Sequence, residues 1–398
     1  MVSTAWESSS VQPSGVIAVL VTARAASFRG ESRIYRYLEP IGGYFGRYGY
    51  RPTSKLPGEC QSAMRALDFP LVTSIDVSAR IATEDAARRI RSSTLAHSHA
   101  PVIPRLGDVF GAYVGLTKPR IIELLLVTTV PAMFLAARGV PDLILVLSTM
   151  IGGCLAAASA NVFNCVLDRD IDERMRRTRR RPLPRHAVGP LAATVFGVVL
   201  GVAATLCLGF TVNWLSALLA LAANAFYVFI YTMWLKRRTS QNIVWGGIAG
   251  CFPPLIGWTA VSGSVHLAPF VLFATVFCWT PPHTWALAIR YRDDYATARV
   301  PMLPVVRSAP AVAVRILLYS LATVAVSLAL WPIADTGWLY PIVAAIGGAV
   351  LVRESWQLLG RANAGLQDAA LKPMRLFHWS NSYLALVFVA AAVSPLFA

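Results

Sequence analysis

Long, nearly uncharged runs of apolar residues occupy this chain from about residue 106 to its end. A transmembrane helix needs about 20 predominantly apolar residues, because each residue adds only ~1.5 Å to its length. Nine runs are candidates: 121–137, 143–166, 188–210, 214–235, 243–261, 267–289, 311–333, 338–352 and 381–397. With 56% hydrophobic and only 14% charged residues, the chain is too apolar for a soluble domain. We therefore predict an all-α, polytopic membrane bundle of about nine transmembrane helices.

Residues 1–105 have a different composition, rich in serine, arginine, glycine and proline. Their apolar run at 16–21 is too short to span a bilayer. Acidic residues such as Glu7, Glu31 and Glu39 argue against a transit peptide, since such peptides are poor in acids. We predict that 1–105 is either disordered or the product of a start codon upstream of the true one, and that 106–398 is the transmembrane domain.

The connections between the runs alternate between basic and nearly uncharged. The basic ones lie around 118–120 and at 168–186, 235–238, 290–307 and 353–375. The positive-inside rule places these connections and the N-terminus in the cytoplasm. The net charge of +16 could indicate nucleic acid, but the basic residues lie between apolar runs, where they meet anionic lipid headgroups. The pattern predicts a multi-pass cell-membrane protein that contacts the lipid bilayer and binds no nucleic acid.

A stripe of oxygen-bearing side chains ends the second apolar run. Asn164, Asp168 and Asp172 recur at i, i+4 and i+8, so a continuing helix places them on one face. Such oxygens suit Mg²⁺, which takes one or two carboxylates and completes its shell with water and substrate phosphate oxygens. An EF-hand loop starting at Asp168 is excluded, because its positions 6 and 12 are Glu173 and Arg179. The stripe predicts a magnesium and phosphate site at the cytoplasmic side.

Basic residues follow the stripe and recur after the fourth run. Five arginines between 176 and 181 can hold further phosphate charge. Lys236 and Arg237 are candidate diphosphate ligands on the same side of the membrane. The alternative for each of these residues is an anchor that only sets the orientation of the chain.

A second charged cluster, with Asp293 and Asp294 among arginines, follows the sixth run on the same side. Two carboxylate clusters that face one another across a cavity can hold a magnesium-bridged diphosphate between them. The alternative is that these acids only balance nearby arginines. Pro253-Pro254 and Pro281-Pro282 predict interruptions of the helices that line such a cavity.

Three aromatic residues are further candidates for substrate contact. His283 lies beside the Pro281-Pro282 pair, and Tyr227 and Tyr231 are four residues apart on the fourth run. A hydrogen-bonded core position for the histidine and interfacial anchoring for the tyrosines are the alternatives.

Together these motifs resemble the UbiA superfamily of intramembrane prenyltransferases and, within it, the protohaem IX farnesyltransferase branch. The matches are Leu116-Thr117-Lys118-Pro119-Arg120, Asn164-x3-Asp168-Arg-Asp-Ile-Asp172 with Met175, Arg177-Thr178 and Arg181-Pro182-Leu183, Trp234-Leu235-Lys236-Arg237-x-Thr239, Pro253-Pro254-x2-Gly257-Trp258, Trp279-Thr-Pro-Pro-His283, Asp294-Tyr295, and Pro301-Met-Leu-Pro304. They run in order from about Leu116 to the end of the chain. The first 105 residues lie outside the pattern, and only Asp294 of the second cluster falls where this branch places its acid.

The resemblance implies a UbiA-type fold and an enzyme that transfers the farnesyl group of farnesyl diphosphate to a vinyl group of haem B, giving haem O for haem-copper oxidases. It implies Mg²⁺ on Asn164, Asp168, Asp172 and Asp294. It further implies diphosphate contacts from Lys118, Arg177, Arg181, Lys236 and Arg237. In such an enzyme, His283, Tyr227 and Tyr231 become candidates for contact with haem or the prenyl group. Haem A synthase or oxidase assembly factors are the implied partners.

Two alternatives stay open at this point. One is a UbiA-type aromatic prenyltransferase that acts on a quinone precursor. The other is a transporter or channel, since carboxylates and broken helices at the membrane also mark ion pathways. The acids here lie at helix ends rather than mid-span, which favours the prenyltransferase.

Overall fold

Helices make up nearly all of the chain from Leu106 onward. The computed structural model describes residues 6–8, 50–52 and 106–397. The helices in this part are α1 (Leu106–Thr117), α2 (Pro119–Ala137), α3 (Leu143–Leu167), α4 (Arg169–Arg174), α5 (Pro190–Thr211), α6 (Trp214–Arg238), α7 (Asn242–Ser262), α8 (Leu267–Arg290), α9 (Arg292–Thr297), α10 (Leu303–Val306), α11 (Ala309–Ala334), α12 (Leu339–Asn363) and α13 (Pro373–Val393). Single 3₁₀ turns lie at Asp368–Leu371 and Ser394–Leu396.

The remaining described residues form two short strands, β1 (Trp6–Ser8) and β2 (Tyr50–Pro52), which pair antiparallel. The chain divides into one unit at Met1–Val102, which includes these strands, and another at Ile103–Ala398, which includes the helices. Apart from the two strands, the predicted disorder of 1–105 concerns residues outside the described part, so it stays a prediction.

Each of the nine predicted spans coincides with a long helix, which confirms the all-α membrane fold. Seven helices of the described part are long and apolar enough to cross a membrane: α3, α5, α6, α7, α11, α12 and the helix at Pro373–Leu396. Helix α2 is apolar over Val127–Ala137, and α8 has 24 residues.

The predicted boundaries of the last two spans were too narrow. Helix α12 continues past residue 352 to Asn363, and α13 begins at Pro373 rather than at 381. Charged residues ended the apolar pattern there, but Arg375 donates a hydrogen bond of 2.8 Å to the Glu354 carboxylate, which is 1% exposed. This ion pair allows both helices to carry charge into the packed region.

Prolines interrupt the helices less than predicted. Helix α8 continues through Pro281 and Pro282. In α7, a 3₁₀ segment at Gly247–Cys251 comes before Pro253, which lies where a new helical segment begins and needs no N–H donor. Helix α6 contains a π-helical stretch, Phe226–Leu235, of a kind often found at functional sites.

Each long helix packs against at least two other long helices. Helix α3 packs against α5, α5 against α6, and α6 against α7, while α7 lies along α2. Helix α13 packs against α2, α8 and α12, and α11 contacts α8 and α12. Helices α7 and α2 approach one another closely, since a Cβ atom on Gly257 would lie 2.4 Å from the Thr129 carbonyl oxygen. Small residues permit this distance between helix backbones in membranes.

Candidate active site

The predicted stripe lies where α3 gives way to α4. The Asp168 amide donates to the Asn164 carbonyl oxygen at 2.9 Å, and the Asp172 amide donates to that of Asp168 at 2.8 Å. The helical spacing therefore continues across the junction, and the three side chains share one face as predicted. All three are buried, with exposed fractions of 3%, 0% and 2%. We call this end of the bundle the charged end.

Cations from two other segments contact the stripe. Asp168 Oδ2 accepts hydrogen bonds from Asn164 Nδ2 at 2.7 Å and from Lys236 Nζ at the end of α6. Lys118 Nζ donates to Asn164 Oδ1 at 2.6 Å. The second carboxylate oxygen, Asp168 Oδ1, is buried and has no hydrogen-bond partner among the described residues; Arg237 is 3.8 Å away.

Lys118 joins α1 to α2 in a left-handed conformation, with φ of 53°, directly before Pro119. This turn points its side chain back to α3. Burial is the main cause that lowers the pKa of Lys118, to about 8, and the positive charges of Arg181 and Lys236 lower it further. A buried ammonium group of this kind is weakly solvated, so it attracts a bound anion more strongly than an exposed lysine does.

Asp172 is held by Arg181, which follows α4 in the loop. Arg181 Nη1 donates to both carboxylate oxygens, at 2.8 and 2.7 Å. Burial alone would lower the pKa of Arg181, but attraction to Asp172 raises it. Thr178 fixes the turn by donating to the Asp172 carbonyl oxygen at 3.0 Å.

Replacing Arg181 with methionine leaves the Asp172 carboxylate buried without its cation. We expect a loss of about 3 kcal/mol of stability, at the lower end for a broken buried ion pair because Arg181 is partly exposed. The measurement is the thermal unfolding midpoint in detergent. Arg179→Met is the control, since Arg179 is an exposed arginine of the same loop. Equal midpoints for the two variants would contradict the assignment.

The two charged clusters are joined directly. Arg176 Nε donates to Asp294 Oδ1 at 3.1 Å, and Asp294 is 7% exposed. Arg177 Nη2 donates to the Tyr295 hydroxyl at 2.7 Å, and its guanidinium lies 4.9 Å from the Tyr291 ring centroid. The loop after the first cluster therefore lies against α9.

Sequence reasoning missed Arg176 and the two tyrosines as members of this contact. In a run of five arginines, no sequence pattern identifies the one that contacts an acid 118 positions later. Asp294 rather than Asp293 faces inward, as the branch pattern implied, because Asp293 is exposed on α9.

Arg237 occupies a position that favours the anchoring alternative. It makes a bidentate pair with Asp170, at 2.8 and 2.7 Å, and donates to the Leu167 carbonyl oxygen at 2.8 Å. The hydrogen bond from Arg237 also lowers the pKa of Asp170. Arg237 thus hydrogen-bonds a carbonyl group at the C-terminal end of α3. Its contact with diphosphate stays a prediction.

Within the described residues, no three carboxylate, histidine or cysteine side chains converge as in a metal site built by protein alone. Asp172 is paired with Arg181 and Asp294 with Arg176, whereas one buried oxygen of Asp168 accepts no hydrogen bond from the part of the chain that the structure describes. This donor set fits Mg²⁺, because that ion uses one or two carboxylates and takes its other oxygens from water and phosphate.

A cavity of about 180 Å³ lies between α2, α3, α6 and α7. Its polar lining includes Asn161, one turn before Asn164, and Tyr227. The Tyr227 and Tyr231 rings are 5.3 Å apart in the π-helical stretch. Tyr231 packs on Gly246, where a Cβ atom would lie 2.1 Å from its ring. Tyr227 therefore lines the cavity, and Tyr231 is in van der Waals contact with α7.

His283 is not among the residues that line this cavity. Its ring is stacked between Trp279 and Phe377, with centroid distances of 4.2 and 4.4 Å, and its Nδ1 is 2.9 Å from the Ser380 hydroxyl. This packing between α8 and α13 matches the core alternative for the histidine.

Comparison with known proteins decides the family. The sequence model of the UbiA prenyltransferase family matches residues 125–381. The chain belongs to the UbiA prenyltransferase family. Its UbiA relatives include the protoheme IX farnesyltransferase of Cutibacterium acnes, 68% identical over 295 residues that cover 74% of this chain and 88% of the relative. That of Streptomyces coelicolor is 54% identical, covering 75% and 93%.

Solved UbiA structures share the fold. A digeranylgeranylglyceryl phosphate synthase has a TM-score of 0.61 at 16% identity, covering 73% of this chain and 99% of its own. A UbiA homolog from Aeropyrum pernix has a TM-score of 0.51 at 17% identity, covering 67% and 95%. The predicted resemblance is confirmed, and the transporter alternative is disfavoured.

Proposed function

We propose that this UbiA family member transfers the farnesyl group of farnesyl diphosphate to a vinyl group of protohaem IX, giving haem O. The observation that carries the proposal is the identity of 54–68% to protoheme IX farnesyltransferases over about three quarters of the chain. The charged end supports it, because a carboxylate stripe and several cations surround one site beside an apolar cavity.

The reaction needs no nucleophilic side chain. The C1–O bond to diphosphate breaks while the vinyl π-electrons form a new bond to C1. Water then adds to the cation left on the other vinyl carbon and releases a proton, and pyrophosphate departs. The developing allylic cation needs a site with little water, which the cavity between α2, α3, α6 and α7 supplies.

The side chains of the charged end would bind the diphosphate. Asp168, Asp172 and Asn164 would hold Mg²⁺, which neutralises diphosphate charge when bound. Lys236, Lys118 and Arg181 are already buried or half-buried beside these carboxylates, so they are available to neutralise the departing pyrophosphate. Asp294 would act from the facing cluster, joined to the first by Arg176.

Tyr227 is the aromatic residue best suited to substrate contact, because it lines the cavity. An aromatic face stabilises a nearby cation. The Tyr231 ring, whose centroid is 5.3 Å from that of Tyr227, would hold the Tyr227 ring in place. A contact between His283 and haem would require the stack of Trp279 and Phe377 to open.

The basic connections support a plasma-membrane protein whose charged end faces the cytoplasm. Farnesyl diphosphate would then reach the site from the aqueous side. Delivery of the product to haem A synthase or an oxidase assembly factor stays a prediction.

Incubation of membranes that contain the protein with haem B, farnesyl diphosphate and Mg²⁺ tests the function. Mass spectrometry should detect haem with an added hydroxyethylfarnesyl group. A parallel incubation replaces haem with a phenolic quinone precursor. Prenylation of the phenol alone would favour the aromatic prenyltransferase, and EDTA should stop the reaction in either case.

Deletion of residues 1–102 should leave the farnesyl transfer rate within about twofold of the full chain. The charged end and the cavity are built from residue 117 onward, and the family match begins at residue 125. The measurement is turnover per folded protein in membranes. Loss of activity in a well-inserted truncation would show that the first unit contributes to the site.

A further inference from the structure

The cavity is lined differently at its two ends. Near the charged end its lining includes Asn161 and Tyr227. Alanine and glycine form much of the remaining lining, together with Phe252 and Pro253. Met150 on α3 and Ile256 on α7 are the large apolar lining residues that lie farthest along these helices from the charged end. Ile256 also packs in a buried cluster with Leu208.

The depth of the cavity follows from the helix that forms its wall. The lining residues on α3 extend from Asn161 to Thr149, which corresponds to ~18 Å at 1.5 Å per residue. An extended tail of three isoprene units fits this depth when its diphosphate lies beside Asp168. A fourth unit would meet Met150 and Ile256.

Two neighbouring glycines show that the space is specific to one face of α3. A Cβ atom at Gly153 would meet no atom within 4 Å, because this position opens to the cavity. At Gly152 it would lie 2.5 Å from the Leu208 side chain. Gly153 is one helical turn, ~6 Å, from Thr149 at the end of the cavity away from the charged end, which is close to the length of one extended isoprene unit.

We propose that Gly153, Met150 and Ile256 set the length of the prenyl diphosphate that the enzyme accepts. Gly153 leaves room for the third isoprene unit, and Met150 and Ile256 exclude a fourth. This inference rests on the proposed function, because it requires that the tail of the prenyl donor occupies the cavity.

The test compares geranyl, farnesyl and geranylgeranyl diphosphate as donors to haem B. Gly153→Leu should shift the ratio of kcat/KM for geranyl over farnesyl diphosphate upward by about tenfold or more, since one hydrophobic group in a pocket discriminates on that scale. Met150→Ala should shift the ratio of geranylgeranyl over farnesyl diphosphate upward by a similar factor. Ile151→Ala is the matched control, because Ile151 is 56% exposed on the outer face of the same turn.

Unchanged ratios in both well-inserted variants would overturn the length assignment while leaving the proposed function intact. A wild-type protein that prenylates no haem with any donor would instead overturn the proposed function. If Gly153→Leu fails to insert, Met150→Ala alone decides, because it adds space rather than filling it. An equal shift in Ile151→Ala would also contradict the proposal.

Discussion

Asp168→Asn should reduce farnesyl transfer by about 1,000-fold or more. Asp168 is fully buried, contacts both Asn164 and Lys236, and has one carboxylate oxygen with no hydrogen bond from any described residue, so we propose it as a ligand for the metal that binds the diphosphate. Removal of a single electrostatic contact that acts in the transition state typically lowers kcat by about 10²–10³. Weaker binding of the proposed Mg²⁺ would add to that effect. The measurement is haem O formation per folded protein.

Controls separate chemistry from stability in this experiment. Asp168→Asn also leaves Lys236 without its buried counter-charge, which costs about 3–5 kcal/mol in stability. The double variant Asp168→Asn/Lys236→Gln neutralises both partners, so we expect it to recover the unfolding midpoint but not the activity. Asp170→Asn, at a half-exposed acid two residues away, should retain most of the activity. Recovery of transfer in the double variant would refute the metal and diphosphate role of Asp168.

Gly257→Ala should clearly lower the stability of the bundle. The added methyl group would lie 2.4 Å from the Thr129 carbonyl oxygen, a backbone atom that cannot move without shifting α2. Overpacking of this kind costs about 1–3 kcal/mol, and a backbone clash belongs at the upper end. The thermal midpoint in detergent should fall clearly.

Gly250→Ala provides the comparison on the same helix. A Cβ atom there would meet no described atom within 4 Å, and alanine lowers the conformational entropy of the unfolded chain, worth about 0.4–1 kcal/mol, so its midpoint should stay the same or rise. Equal midpoints for the two variants would mean that α2 and α7 separate more easily than their packing indicates.

The fold could be predicted from the sequence because each membrane span appears there as a long run of apolar residues. The predicted boundaries and interruptions were wrong where hydropathy alone does not determine the structure. The charge of Glu354 led to a predicted span that ended too early, and that of Arg375 to one that began too late, since a hydropathy pattern does not show that two charges neutralise each other across helices. Pro281 and Pro282 predicted an interruption, but α8 accommodates them without one.

For the site, too, local spacing could be predicted from the sequence and tertiary contacts could not. The spacing of Asn164, Asp168 and Asp172 predicted a shared face, because local helical geometry fixes it. The partners of these residues depend on tertiary packing, so no pattern distinguished Arg176 from its neighbours or assigned Arg237 to Asp170. Tyr227 and Tyr231 looked equivalent in sequence, yet only Tyr227 lines the cavity.

The contact between Arg176 and Asp294 is exposed on one side only. The Arg176 side chain is 76% exposed and that of Asp294 is 9% exposed, so water and salt reach the guanidinium but not the carboxylate. Added salt screens the exposed charge and weakens the pair. We therefore expect high salt to loosen this attachment of the loop after α4, while the hydrogen bond from Arg177 to the Tyr295 hydroxyl still holds the loop against α9.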